Sequence, residues 1–325
     1  MKKRIWKAVP GALRTAVVVC GLASSLALAQ SYPARPIRMI IPFGPGGSTD
    51  LVGRLTAQKA DLGQTIIVEN RPGAGAAIGY DFVARADPDG YVICMGGPAL
   101  SSLPLFLKSY THNVLQDFTA ISLLSEGPSV LVVNSEVPVK SVAELVAYAR
   151  ANPGKLNIGD SGSAITLDIA AMQQAMGVKF FSVPYNGSAQ AVPAVVANQV
   201  QVLLDPIVTS RQHIASGKVR ALAVGSLKRF SGLPDLPTLA ESGLPGFETS
   251  SIWFGLVGPA KLPPEVVNKL NVAFNKTLSA ADVKARLNEF GQDPVGSTPA
   301  QMREYLERNV AYYTKFAQVA GIKPE

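Results

Sequence analysis

The sequence predicts an α/β fold of two lobes, built from mixed sheets flanked by helices, with a ligand cleft between the lobes. Three observations lead there. Short apolar, β-branched runs alternate with helical patterns along most of the 325 residues. Four or five glycine-rich loops of one type follow the ends of those runs. The second half of the chain repeats the strand, loop and helix that open the first.

The opening unit is residues 38–50, Arg-Met-Ile-Ile-Pro-Phe-Gly-Pro-Gly-Gly-Ser-Thr-Asp. Met39 to Ile41 reads as a buried strand, and residues 43–47 as a turn in which glycine lets the backbone approach a ligand. A helical pattern then begins at Leu51 and Leu55, with Ser48 or Thr49 placed to cap it. Such a turn leaves backbone N–H groups unpaired at the positive end of the helix dipole, which suits a carboxylate or phosphate.

Before the fold begins, a basic region (Lys2, Lys3, Arg4, Lys7, Arg14), an apolar stretch over 16–28 and Ala27-Leu28-Ala29 form an export signature. The expected leader is 1–29, cleaved after about Ala29, and the expected compartment is the periplasm. The apolar stretch is shorter than the roughly 20 residues that span a bilayer, and Val19 disfavours lipidation at Cys20. The leader holds five of the 30 Lys and Arg residues and none of the 23 Asp and Glu. The remainder therefore carries 25 basic against 23 acidic residues, a net +2. The high isoelectric point is thus no argument for nucleic acid. Removing the leader leaves Cys94 alone, so no intrachain disulfide and no cysteine-based zinc site is expected. A hydrophobic fraction of 47% and a charged fraction of 16% are those of a globular chain.

In order, strands are expected at 38–41, 64–70 and 91–95, with helices at 49–60 and 78–86 between them. That alternation implies sheets rich in parallel pairs. Residues 129–133 are strongly β and mark a crossing between lobes. Ser141 and Glu144 form a capping box for a helix that stops at Asn152-Pro153-Gly154. Residues 156–159 form a strand, followed by Asp160-Ser161-Gly162-Ser163 and a helix to about Met176. Further strands lie at 180–184, 200–204 and 219–224, and Tyr185-Asn186-Gly187-Ser188 leads into another helix. Residues 252–257 look like the return crossing, and the rest is helical, with Thr298 and Gln301 capping the last helix behind Pro299. The first lobe is expected to comprise 30–130 and 253–325, the second 131–252.

Two motifs point elsewhere and fail. Gly44-x-Gly46-x-x-Thr49 has the start of a dinucleotide fingerprint, with Glu69 about 20 residues on, but the third glycine is missing. Gly159-Asp160-Ser161-Gly162 matches the surroundings of a protease nucleophile. The chain has only His112 and His213, neither in a fitting context, and the αβ alternation contradicts a double β-barrel. Two histidines so far apart suggest no metal site; His112 is expected at the surface and His213 on a helix flank. Asp205 ends a strand at the cleft, where it either caps the next turn or contacts ligand. Tyr185 either lines the cleft or packs against a strand end. Trp253 is expected in the core near the crossing.

Seven stretches in order carry a resemblance over nearly all of residues 32–321: Tyr32-Pro-Ala-Arg-Pro-Ile-Arg38, Pro42-Phe-Gly-Pro-Gly-Gly-Ser-Thr-Asp50, Val68-Glu-Asn-Arg-Pro-Gly-Ala-Gly75, Pro88-Asp-Gly-Tyr91, Pro184-Tyr-Asn-Gly-Ser188, His213-Ile-Ala-Ser-Gly-Lys-Val-Arg-Ala-Leu-Ala-Val224 and Leu244-Pro-Gly-Phe247. Together they resemble the Bug proteins, the receptors of tripartite tricarboxylate transporters. The resemblance implies a type II-like periplasmic binding protein with two crossing strands. It would take a small di- or tricarboxylate, amino acid or aromatic acid, held by backbone N–H groups, hydroxyls and waters. It implies no cofactor and no catalysis. The partners would be membrane permease subunits, or a sensor protein in their place, and a monomer is expected. The candidate ligand contacts are Phe43, Gly46, Gly47, Ser48 and Asp50 from the first loop, Gly73 and Ala74 from the second, and Gly97 from the third. Ser161, Gly162 and Ile165 come from the fourth, Tyr185 and Gly187 from the fifth, and Asp205 from the strand end.

One stretch departs from the family pattern Ser-Gly-x-Gly-Thr-x-x-His. Here it reads Ser161-Gly-Ser-Ala-Ile165-Thr-Leu-Asp168, preceded by Asp160 where a small neutral residue is usual. If both carboxylates face the cleft, the ligand should be less anionic or carry an amine. If they only cap or solvate the helix start, they say nothing about it.

Overall fold

The computed structural model describes residues 32–230, 232–320 and 324; the expected leader lies outside the described residues. The first sheet collects β1 (Ile37–Ile41), β2 (Ile66–Asn70), β3 (Val92–Gly96) and β4 (Phe118–Gly127), then much later β10 (Ile252–Pro259) and β11 (Asp293–Pro294). Its order is β11-β4-β10-β3-β1-β2. The second sheet holds β5 (Ser129–Asn134), β6 (Asn157–Asp160), β7 (Phe181–Pro184), β8 (Val202–Pro206) and β9 (Val219–Val224), in the order β7-β6-β8-β5-β9.

The helices between them are α1 (Ser48–Lys59), α2 (Ala77–Ala84), and the short α3 (Pro98–Ser102) and α4 (Val114–Asp117). In the middle of the chain come α5 (Val142–Ala151), α6 (Ser163–Met176), α7 (Ser188–Val196) and α8 (Ile207–Ala215). The chain ends in α9 (Pro264–Ser279), α10 (Ala281–Glu289) and α11 (Pro299–Ala320). Among the described residues no helix is long and apolar enough to cross a membrane.

Local chemistry explains most of these elements. β1 pairs parallel with β2 and β3, and its Ile37, Met39, Ile40 and Ile41 are wholly buried, as a strand covered on both faces requires. α9 turns Val266, Leu270, Phe274 and Leu278 inward at helical spacing. The Ser141 hydroxyl accepts from the Glu144 N–H at 3.1 Å, which starts α5 as its sequence predicts. The Thr298 hydroxyl likewise accepts from the Gln301 N–H, at 3.2 Å.

Four expectations change. The sheets are not rich in parallel pairs, because β4, β5, β10 and β11 form antiparallel pairs where the chain passes between sheets and returns. The ten-residue β4 went unpredicted; its partner β10 is over 120 residues away, and nothing local marks the pairing. Neither Ser48 nor Thr49 caps α1, whose N-cap is Gly47. His112 is half-buried, its Nε2 2.9 Å from Asp81 and its Nδ1 3.4 Å from Asp117. Trp253 is fully buried, and its indole N–H donates to Asn309 on α11 at 3.0 Å. Cys94 is free and buried.

The chain leaves the first sheet at Gly127, enters the second at Ser129 and returns at Ile252. These passages are tied together. The Gly225 N–H donates to the Ser129 carbonyl and the Thr249 N–H to the Gly225 carbonyl, both at 2.9 Å. The Ser129 and Thr249 hydroxyls meet at 2.7 Å. A Cβ at position 225 would lie 2.0 Å from the Thr249 hydroxyl, so only glycine fits. Beside this crossing, α6 packs Ala164 and Leu167 against Tyr313 and Ala317 of α11.

Gly79 on α2 tests how tightly the first sheet is packed. A Cβ there would sit 2.7 Å from Pro42 Cα and 2.9 Å from the Arg71 carbonyl oxygen, both backbone atoms. Alanine gains roughly 0.5–1 kcal/mol in helix preference, but overpacking costs about 1–3 kcal/mol. Gly79→Ala should therefore lower the urea midpoint with an unchanged m-value, a net loss of about 1–2 kcal/mol.

Candidate functional site

Strand ends and helix starts from both sheets meet at one cavity of about 70 Å³. The first sheet contributes Phe43, Gly44, Gly47, Ser48 and Thr49 from the β1–α1 loop, and Gly97, Pro98 and Ala99 from the end of β3. The second contributes Ser161, Gly162, Ala164 and Ile165 from β6–α6, Asn186, Gly187, Ser188 and Ala189 from β7–α7, and Pro206 from β8. Ile252 and Phe254 of β10 complete the lining. The two halves touch: a Cβ on Gly187 would lie 3.1 Å from the Phe43 ring, and one on Gly47 would lie 3.7 Å from Ala189.

Three long helices start here, and glycine caps each of them: Gly47 for α1, Gly162 for α6 and Gly187 for α7, none with a side-chain cap. Their first N–H groups are thus left to whatever occupies the cavity. Gly162 and Gly187 sit at φ 137° and 94°, conformations that side chains resist. Ser48 and Thr49 are only 7% and 5% exposed, line the cavity, and use their hydroxyls in no hydrogen bond within the protein among the described residues. Among the described residues no Asp, Glu, Lys, Arg, His or Cys lines the cavity. Its field comes from helix ends, backbone amides and hydroxyls, an arrangement that suits an anion without a salt bridge.

Behind the lining lies Asp205, wholly buried. Its Oδ1 accepts from the hydroxyls of Ser161 and Ser188, each at 2.8 Å, and its Oδ2 from Thr209 at 2.6 Å. Burial pushes its carboxyl up to about 6, against the pull of those three hydrogen bonds. Asp205 thus fixes the β6–α6 and β7–α7 loops against α8 from behind and lies outside the cavity.

Of the sequence candidates, Phe43, Gly47, Ser48, Gly97, Ser161, Gly162, Ile165 and Gly187 line the cavity. Six do not. Gly46 turns its N–H onto the Asp50 carboxylate at 2.9 Å. Asp50 also takes Arg54 at 2.9 Å and Asn70 at 2.9 Å. Burial works against its charge, but the Arg54, Gly46 and Asn70 hydrogen bonds outweigh it and hold the carboxyl below its ordinary value. Gly73 and Ala74 belong to a turn outside the cavity, with Ile78 packed over Gly73. Tyr185 packs on the core of the second sheet beside Gly159, and Asp205 is the buried anchor just described.

Asp160 and Asp168 do not line the cavity either. Asp160 accepts from the Gly162 N–H at 3.1 Å and the Thr166 hydroxyl at 2.7 Å, pinning the start of α6; burial pushes its carboxyl up. Asp168 points away, to the N–H and hydroxyl of Ser250 at 3.0 and 2.6 Å beside the return crossing. Neither carboxylate argues for an amine-bearing ligand. Eleven further lining residues were not among the candidate contacts: Gly44, Thr49, Pro98, Ala99, Ala164, Asn186, Ser188, Ala189, Pro206, Ile252 and Phe254. Ser188 was legible as the partner of Ser48 in a repeated glycine–serine helix start; the β10 residues depend on long-range pairing.

Residues 53–321 match the tripartite tricarboxylate transporter family receptor. Protein BugT of Bordetella pertussis is 34% identical over 316 residues, covering 94% of this chain and 95% of that one. Among solved structures, R. palustris Rpa4515 with adipate is similar at a TM-score of 0.87 and 33% identity, over 90% of this chain and all of that one. MatC (Rpa3494) from Rhodopseudomonas palustris with bound malate is similar at 0.82 and 30%, over 88% of this chain and all of that one.

Two outcomes follow from this geometry. Gly187→Ala forces a side chain into φ 94° and against Phe43. It should weaken ligand binding at least tenfold by calorimetry while costing stability only about 1–3 kcal/mol. Asp168 is 1% exposed, and burial pushes its carboxyl up to about 7, outweighing the Ser250 hydrogen bonds. A carboxyl raised in the folded state makes that state bind protons more tightly than the unfolded chain. Its contribution is therefore most favourable below about pH 4 and declines as pH rises to about 7. The melting temperature of Asp168→Asn relative to wild type should rise steadily from about pH 4 to about pH 7 and level off above that.

Proposed function

The chain belongs to the tripartite tricarboxylate transporter receptor family, and on that premise we propose that it captures a small carboxylate between its lobes and delivers it to membrane permease subunits of such a transporter. One observation carries this reading: three uncapped helix starts, drawn from both sheets, converge with two free hydroxyls on one cavity that no charged side chain lines. Only an anion or a strong acceptor satisfies such a set of donors, and a carboxylate matches them in size and charge. The relatives solved with adipate and malate support that class.

On this reading the lobes are 30–130 with 253–325, and 131–252, and they close over ligand at the Ser129–Gly225–Thr249 crossing. The protein is a periplasmic monomer whose leader is removed after about Ala29. It is a receptor rather than an exported enzyme. Ser161 and Ser188 donate to a buried carboxylate instead of to a base, and no histidine or cysteine that could activate a nucleophile reaches the cavity.

The test is a thermal-shift panel on protein stripped of co-purified ligand, using carboxylates, amino acids, sugars and nucleotides. A ligand at 100 times its Kd adds about 2.7 kcal/mol, a shift of several degrees. A carboxylate hit, recovered chemically unchanged, is the expected result. A response confined to sugars or nucleotides, or consumption of the added compound, overturns the reading.

A further inference from the structure

We infer that the ligand is a compact monocarboxylate with an apolar body, and that Ile165 sets this preference. The inference rests on the receptor reading and narrows it. Three observations carry it, the first being size. The enclosed part of the cavity is about 70 Å³, under half of the roughly 150 Å³ apolar cavity that takes up benzene. A carboxylate group with a few carbons behind it fits that space, and anything longer extends out of its open side.

The second is where the donors lie. The cavity-lining hydroxyls with no partner among the described residues, Ser48 and Thr49, both stand at the start of α1. Across the cavity, Ser161 and Ser188 have spent their hydroxyl hydrogens on Asp205. Toward the ligand they offer lone pairs, which repel a carboxylate. The α6 and α7 amides converge with those of α1 on this one small space and serve the first carboxylate; beyond them a second would find the exposed amide of Asn186. Desolvating a second charge without a paired group is unfavourable.

The third is the apolar wall. Ile165, Ile252 and Phe254 line the cavity and belong to one hydrophobic cluster. Ile165 is 6% exposed and lies in the first turn of α6, where a threonine would return both space and a donor. An aliphatic body placed against this wall gains hydrophobic contact, and a charged one does not.

Calorimetry on the purified protein, stripped of ligand, tests this with matched pairs: butyrate against succinate and hexanoate against adipate, with propionate and isobutyrate for size. Butyrate should bind at least tenfold tighter than succinate. In Ile165→Thr, checked by its melting curve, that ratio should shrink at least fivefold. Should the variant not fold, the wild-type ratio decides alone. Succinate or adipate binding as tightly as its matched monocarboxylate overturns the inference and leaves the receptor reading intact. An unchanged ratio in a folded Ile165→Thr removes the role of Ile165. No binding by either kind overturns the inference and leaves the receptor reading to its own panel.

Discussion

A carboxylate in the interior, held by hydroxyls and no cation, organises the second half of this site. Asp205 ends β8 and receives hydrogen bonds from Ser161, Ser188 and Thr209, so three strand-to-helix connections share one acceptor. Hydrogen bonds to a charged group contribute about 1.5–3 kcal/mol each, enough to offset much of the cost of burial but with little surplus. Their value is positional. With Asp205 in place, the glycine caps of α6 and α7 hold a fixed relation to each other, and their amides aim at one point. Asp50 does the same for the first loop, taking the Gly46 N–H, Arg54 and Asn70 behind the start of α1. Both anchors keep negative charge out of the cavity while shaping it.

Among the described residues the cavity lining contains no ionised side chain. A site lined with arginine would bind many anions strongly through Coulomb attraction and discriminate among them poorly. Amides and hydroxyls reward an acceptor only where geometry and desolvation both agree, so shape carries more of the selection. The apolar wall of Ile165, Ile252 and Phe254 then decides what stands behind the acceptor. Phe43 packs against Gly187 at the edge of the same space, so neither sheet alone encloses it.

Much of this was legible in the sequence, for physical reasons. Buried strands such as β1 and β9 are short apolar runs, and glycine followed by serine at a strand end announces a helix start with free amides. The family pattern assembled these into a fold and a cleft. Side-chain direction was not legible. Asp50, Asp160, Asp168 and Asp205 all sit at or near loop positions that face a ligand in outline, yet each turns to a neighbour. For Asp50 the signal existed: Arg54 follows four residues on, the spacing of a helical ion pair. For Asp168 there was none, because its partner Ser250 is 82 residues away. β4 escaped for the same reason; its existence depends on β10.

The crossing at Ser129, Gly225 and Thr249 has a mechanical consequence. Two separate linkers would let the lobes twist, slide and bend in many ways. Here a third segment is hydrogen-bonded between them, with a glycine so closely enclosed that no atom can be added. On the proposed receptor reading, such a tie leaves closure as rotation about a single axis, and occupancy of a cavity only a few atoms wide is converted into one angle.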